Sequence, residues 1–186
     1  GTWEKSTKRA IILPDAGLKS VMVFERNELK ESITSSIIPV DLVFPALHGL
    51  CRADGTVQGL FELAKLPYVG CGVLSSALSM DKLYTKQIVS RLGIRQAAYI
   101  GVQREELNDL EQVACRVEEA LTYPVFIKPS NAGSSRGVSR ARSREELFCG
   151  LSEAAKHDRK ILVEEEIQGR ELECAVFGGV SFQVSG

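Results

Sequence analysis

The chain has 186 residues, of which 44% are apolar and 25% charged, and its 24 acidic and 23 basic side chains leave a formal net charge of −1. That is the mix of an ordinary soluble globular protein of one large or two small domains. So even a balance gives no electrostatic ground for binding nucleic acid or an anionic membrane, and no apolar run reaches the roughly 20 residues a membrane helix needs.

Residues 1–35 hold short apolar pieces among charges, at Ala10–Leu13 and Val21–Phe24, which read as a small hairpin or edge strands. "VDLVFPALHG" (40–49) is an apolar run stopped by proline and His-Gly, predicting a buried parallel strand that opens into a loop. "TVQGLFELAK" sets Val57, Leu60, Phe61 and Ala64 on one helical face, and "LPYVG" (66–70) reads as another short strand. Residues 75–94 read as one or two helices stopped near Gly93. Strand, helix, strand, helix is an α/β signature.

The pattern restarts after "AAYIGV" (97–102). Leu110, Val113, Ala114, Val117 and Leu121 keep helical spacing, "YPVFIK" and "GVSRA" are strands, and 144–156 is a helix with Leu147, Leu151 and Ala154 inward. "KILVEEEI" and "RELECAVFGG" are two more strands, which makes an α+β unit. Antiparallel pairing with two helices on one face is expected. The domain change is placed at "GIRQA", giving units 1–93 and 94–186. The chain begins without Met and ends just after a strand-like run, so an interior piece of a longer protein is expected. Cys51, Cys71, Cys115, Cys149 and Cys174 are scattered without C-x-x-C spacing and read as free, buried thiols of a reducing cytosol.

Three stretches carry chemistry. In "VFIKPSNAGSSRGVS" Lys128 ends an apolar strand beside a loop of small residues. Backbone N–H groups and hydroxyls of such a loop are open to an anion, because few side chains block the approach. With the lysine charge they could hold a polyphosphate. The spacing is not that of a Walker loop, and taken alone such a Gly-Ser loop is more often only a hairpin. "ILVEEEIQGRELE" places Glu164 near a strand end and Glu171 seven residues on, which could accept from an adenine amine and from ribose hydroxyls. A solvated acidic edge is the alternative. His48 follows a strand-like run, where open α/β sheets bind ligands. It could orient a substrate carboxylate or simply cap structure.

The blocks "FPALHG…DGTVQGLFELAKLPYVGCGVLSSALSMDK", "YPVFIKPSNAGSSRGVS" and "ILVEEEIQGRELECAVFGG", in this order, resemble the D-alanine–D-alanine ligases and their vancomycin-resistance relatives, in the ATP-grasp superfamily. The resemblance covers roughly residues 40–180. It implies a partial Rossmann-like domain preceding the first part of an ATP-grasp domain. It implies a cytoplasmic bacterial enzyme of peptidoglycan synthesis, a homodimer in its full-length form. ATP phosphorylates the carboxylate of one D-alanine, and the amine of a second attacks the acyl phosphate. Magnesium or manganese bridges the phosphates. By motif, Lys82 of "SMDK" and Lys128 resemble the lysines that contact the ATP phosphates. Ser134 resembles the catalytic loop serine, with Ser135 beside it in the ATP set. Glu164, Glu165 and Ile167 fall where the hinge strand meets adenine, Glu171 on the ribose-binding glutamate, and His48 on the histidine near the first substrate.

The resemblance has departures and gaps. The family writes His-Gly-x-x-Gly-Glu-Asp-Gly where this chain has "HGLCRADG", so Arg52 replaces a glycine and Ala53 a glutamate; Arg136 replaces an apolar loop residue. The glutamate for the first substrate is expected before residue 1, and the lid, the arginine and the metal ligands after residue 186, none of them in this chain. The 186 residues alone are therefore expected not to ligate. D-serine or D-lactate as second substrate, and a non-catalytic nucleotide-binding remnant, stay open.

Overall fold

The β-branched runs at the start of the chain pair with one another in an antiparallel three-stranded sheet, β1 (Arg9–Ile12), β2 (Ser20–Asn27) and β3 (Ser32–Pro39), in that spatial order. The computed structural model describes residues 9–15, 17–27, 32–46, 54–178 and 181–185. β3 carries no sequence assignment above, although Ile33, Thr34, Ile37 and Ile38 are β-branched and Pro39 ends the run. One face of this sheet brings Ile12 against Phe61, Ala64 and Leu66. The opposite face leaves Ile11, Ile33 and Ile37 exposed.

The buried parallel strand expected over 40–49 is reduced, among the described residues, to one parallel bridge between Val43 and Tyr68. Leu42 and Phe44 lie exposed on either side. The ladder has nowhere to extend: Pro45 and Pro67 lack N–H donors, so only Val43 N to Pro67 O (2.8 Å) and Val69 N to Val43 O (2.9 Å) form. The helices between do form. α1 (Thr56–Leu63) buries Phe61 as expected, and Ala64 just beyond it is also buried. Residues 75–94 make two helices, α2 (Val73–Met80) and α3 (Lys82–Arg91), ended by Gly93 at φ 69°. The break is Asp81, extended at φ −88° and ψ 100°, whose carboxylate accepts from Tyr84 N and so caps α3.

The second half is the expected antiparallel sheet. Its strands are β4 (Tyr99–Gln103), β5 (Val125–Pro129), β6 (Ser139–Ala141) and β7 (Lys160–Glu165), ordered β4-β7-β5-β6. Helices α4 (Leu110–Ala120) and α5 (Arg144–Ala154) supply Val113, Val117, Leu147 and Leu151 to one core with Val102, Val125, Ile127, Ile161 and Val163. Register fixes what the other face holds. Phe126 pairs with Glu164 and Glu164 with Tyr99; Lys128 pairs with Leu162 and Leu162 with Gly101. Because side chains alternate along a strand, these residues face away from α4 and α5. There α3 lies over the sheet; a Cβ on Gly101 would stand 3.3 Å from Leu83 Cδ2, so glycine lets the helix come close.

The strand expected at 170–179 begins only at Val176, as β8 (Val176–Gly178) in a hairpin with β9 (Phe182–Val184). Cys71, Cys115, Cys149 and Cys174 are unbonded, as expected, but exposed rather than buried. Cys115 and Cys149 fall off the inward stripes of α4 and α5, next to Ala114 and Gly150, which take the core positions. Cys51 lies outside the described residues. No helix among the described residues is long and apolar enough to cross a membrane.

α5 rests directly on the sheet through Gly150, where an added Cβ would come within 2.6 Å of Ser139 Oγ and 2.9 Å of Ile127 Cδ1. Gly150→Ala should therefore destabilise by about 1–3 kcal/mol despite the better helix propensity of alanine, because the methyl overpacks a core contact. Urea denaturation measures this, and an unchanged or raised midpoint would contradict the close packing.

Candidate functional site

Ser130, immediately after β5, ties the strand to the helix that covers it. Its backbone N–H donates to Lys160 O (2.8 Å), its carbonyl accepts from Lys82 N (3.0 Å), and its hydroxyl accepts from Leu83 N (3.1 Å) while donating to Asp81. The start of α3 is thus docked on the exit of β5. Lys82, the first residue of that helix, sends its ammonium to Ala132 O (2.6 Å) and Ser130 O (3.4 Å).

Behind this contact lies a polar cluster. Asp81 is 5% exposed and accepts from Lys160, Ser130 and Asn131 Nδ2 (3.1 Å for the last). Asn131 N in turn donates to Asp158 Oδ2 (2.7 Å), and the Lys160 ammonium lies 4.5 Å from the centre of the Tyr84 ring. Burial by itself would raise the Asp81 pKa, but Lys160, Ser130, Tyr84 N and Asn131 together hold it below the ordinary carboxylate range.

The loop that follows has Ser134 and Ser135 at φ 53° and 55°, with Gly137 at 67°. Consecutive left-handed residues turn the chain sharply where Ser134 and Ser135 line the cleft; for serine that conformation is uncommon and is the kind of local strain found at ligand-binding loops. Below it, Glu164 is held from two sides. Lys128 pairs with Oε1, and Lys86 reaches Oε2 at 3.0 Å. Burial pushes the Glu164 pKa up, and the two lysines outweigh it, leaving the carboxyl below its usual range. Lys82 is pushed down, first by burial and then by the charge of Lys128.

Lys82, Lys128, Ser134, Ser135, Glu164, Glu165, Ile167 and Glu171 line one cleft of about 470 Å³. These are the eight residues assigned to ATP from sequence. Glu165 is fixed there by accepting from Ala98 N (2.8 Å), whereas Ile167 is 67% exposed at the rim. A smaller adjoining recess of about 280 Å³ is lined by Ser79, Lys82, Thr85, Lys86, Lys128, Leu162 and Glu164. His48, with Arg52 and Ala53, lies outside the described residues. Lys86, Asp81 and Lys160 were not singled out in the sequence. Lys86 had a signal, since it stands four residues after Lys82 on one helix face. Lys160 had none, because only the strand order brings it to Asp81.

The fold and the cleft define a protein of mixed helices and sheets, with a cleft of two lysines and three glutamates on the face of an antiparallel sheet that α3 lies over. The family model described as D-ala D-ala ligase C-terminus matches residues 88–186, and that described as D-ala D-ala ligase N-terminus matches residues 3–71. The chain belongs to the D-alanine–D-alanine ligase family. It is 49% identical over 182 residues to a D-alanine–D-alanine ligase of Ruminiclostridium cellulolyticum, covering 96% of this chain and 48% of that one. With a namesake from Acetivibrio thermocellus it is 58% identical over 140 residues, 75% of this chain and 37% of the relative. Among solved structures it resembles the VanG D-Ala:D-Ser ligase of Enterococcus faecalis, with a TM-score of 0.79 and 38% identity over 95% of this chain and 48% of that one. The chain spans about half the length, or less, of these curated relatives.

Proposed function

We propose that this chain carries the ATP cleft of a D-alanine–D-alanine ligase: ATP activates the carboxylate of one D-alanine as an acyl phosphate, and the amine of a second displaces the phosphate to give the dipeptide. The observation that carries the reading is the single cleft lined by Lys82, Lys128, Ser134, Ser135, Glu164, Glu165, Ile167 and Glu171. Its lining offers three kinds of chemistry. Lys82, Lys128 and the serine loop suit the phosphates. Glu164, with Glu165 and Ile167, suits the adenine edge and face. Glu171 suits the ribose hydroxyls. Catalytic roles for Ser134 and His48 belong to the same reading, as do the cytoplasm and a homodimer. The division into units 1–93 and 94–186 belongs to the same reading, with the turn at Gly93 as its support.

Magnesium or manganese would supply positive charge to offset that of the phosphates. Among the described residues no group of three or more His, Cys, Asp or Glu side chains converges to hold a metal ion, so these residues do not by themselves make that site.

The test is phosphate release from ATP with magnesium and D-alanine by a longer protein that contains these 186 residues and spans the full length of the curated relatives, with the dipeptide followed by mass spectrometry. D-alanine-dependent release that is abolished in Lys128→Ala is expected. ATP binding without any turnover would favour a nucleotide-binding remnant, and absence of ATP binding would overturn the cleft. D-serine and D-lactate as acceptors belong in the same assay, since the similarity to a D-Ala:D-Ser ligase leaves the second substrate open.

A further inference from the structure

We infer that Lys86 is a positioning residue for base recognition, which locks Glu164 as an anionic acceptor while Lys128 serves the phosphates. The inference rests on reading the cleft as an ATP site and goes beyond it in dividing the work between two lysines.

Glu164 lines both the large cleft and the recess behind it, whereas Lys86 lines only the recess. Each glutamate oxygen has its own cation, Oε1 with Lys128 and Oε2 with Lys86. The two cations differ in freedom. The Lys86 side chain is 14% exposed, and its ammonium also donates to Ala97 O (3.2 Å) and lies 5.0 Å from the centre of the Tyr99 ring. Its backbone carbonyl accepts from Gln96 Nε2 (2.7 Å). Lys128 is 28% exposed and lines the large cleft; besides the carboxylate it has, among the described residues, the Phe126 ring 5.6 Å away and no hydrogen-bonding carbonyl such as Ala97 O gives Lys86.

A polyphosphate entering the cleft therefore competes for Lys128 and cannot draw Lys86, which faces the recess and is anchored there. When Lys128 turns to the phosphate, Glu164 loses one partner in a place that is 9% exposed. A buried carboxylate without a cation protonates or swings toward water. With Lys86 in place it keeps its charge and its orientation, and one oxygen is released to accept from an exocyclic amine. A site that pairs with an N–H group discriminates against analogues lacking it, because its buried acceptor is then left unpaired.

The experiment is calorimetric titration of ATP, inosine triphosphate and inorganic tripolyphosphate into a protein carrying this sequence and into Lys86→Met and Lys86→Arg. Inosine triphosphate replaces the amine with a carbonyl, and tripolyphosphate has no base. In Lys86→Met the preference for ATP over inosine triphosphate should fall by about tenfold, the worth of one charge-assisted hydrogen bond. Tripolyphosphate affinity should stay within about twofold, and Lys86→Arg should restore most of the preference. Equal losses for all three ligands, or an unchanged preference, would overturn the inference while leaving the ATP cleft standing. Failure of the unmodified protein to bind ATP would remove both. If Lys86→Met does not melt cooperatively, Lys86→Gln carries the same comparison, because its amide can still donate to Ala97 O but brings no charge to Glu164.

Discussion

Asp81→Ala should destabilise the chain by about 3 kcal/mol, the low end of the range for breaking one side of a buried ion pair. The carboxylate is the hub of the cluster beneath the cleft, and its removal takes the acceptor from Lys160 and from the Ser130 hydroxyl, while Asn131 Nδ2 keeps Asp158 Oδ2 at 3.3 Å. The low end applies because the Lys160 side chain keeps 20% exposure and the Tyr84 ring beside it. The loss should depend on pH, with a sign fixed by the direction of the Asp81 shift. Its folded-state pKa lies below the ordinary value, which is about 3.9 for an unfolded aspartate. The stabilisation is therefore complete above that unfolded value and disappears as the pH falls through the lower folded one. Thermal melts at pH 7 and pH 3 should show the gap between parent and variant narrowing in acid. A gap of the same size at both would mean that Asp81 contributes by packing and capping rather than by its charge.

The same cluster marks where sequence reading ends. Helical periodicity placed α4 and α5, and the inward Leu147, Leu151 and Ala154 are all fully buried. Those signals are local, so a linear reading reaches them. Lys128 and Glu164 were legible as chemistry because each interrupts an apolar strand, and their common face follows from alternation once the register is known. The register itself was not legible. Nothing in "KILVEEEI" says that it will lie between β4 and β5, and it is this order that carries Lys160 to Asp81 across 79 residues. The run 40–49 misled for the opposite reason. Its apolar content was strand-like, but Pro45 and its neighbour Pro67 remove the donors a ladder requires. The cysteines misled because a preference for burial is a property of the residue type, while Cys115 and Cys149 take their positions from the helix phase.

Lys82→Met should weaken ATP binding by about 100-fold, equivalent to about 2.7 kcal/mol, and should weaken tripolyphosphate binding by the same factor. The two lysines of this cleft differ in what holds them. Lys128 is already paired with Glu164, so a phosphate draws on its charge only by competing with a carboxylate. Lys82 is held by the carbonyls of Ala132 and Ser130, which orient the ammonium without cancelling its charge. A ligand can accept from it at the cost of neutral hydrogen bonds alone. Burial and the charge of Lys128 hold its pKa below that of an ordinary lysine. The protonated form is thus strained in the empty cleft and relieved by an anion, which adds to the affinity. Two consequences separate Lys82 from Lys86. Loss of Lys82 should cost ATP and tripolyphosphate alike, since the group meets phosphate and not base. The parent's affinity for tripolyphosphate should also decline on raising the pH before an ordinary lysine would titrate, and Lys82→Met should lose that part of the decline. Calorimetry across the alkaline range measures both. A Lys82→Met variant that keeps tripolyphosphate affinity, or loses ATP alone, would place the phosphates elsewhere in the cleft and leave the Lys82 ammonium as a strut for the 130–137 loop.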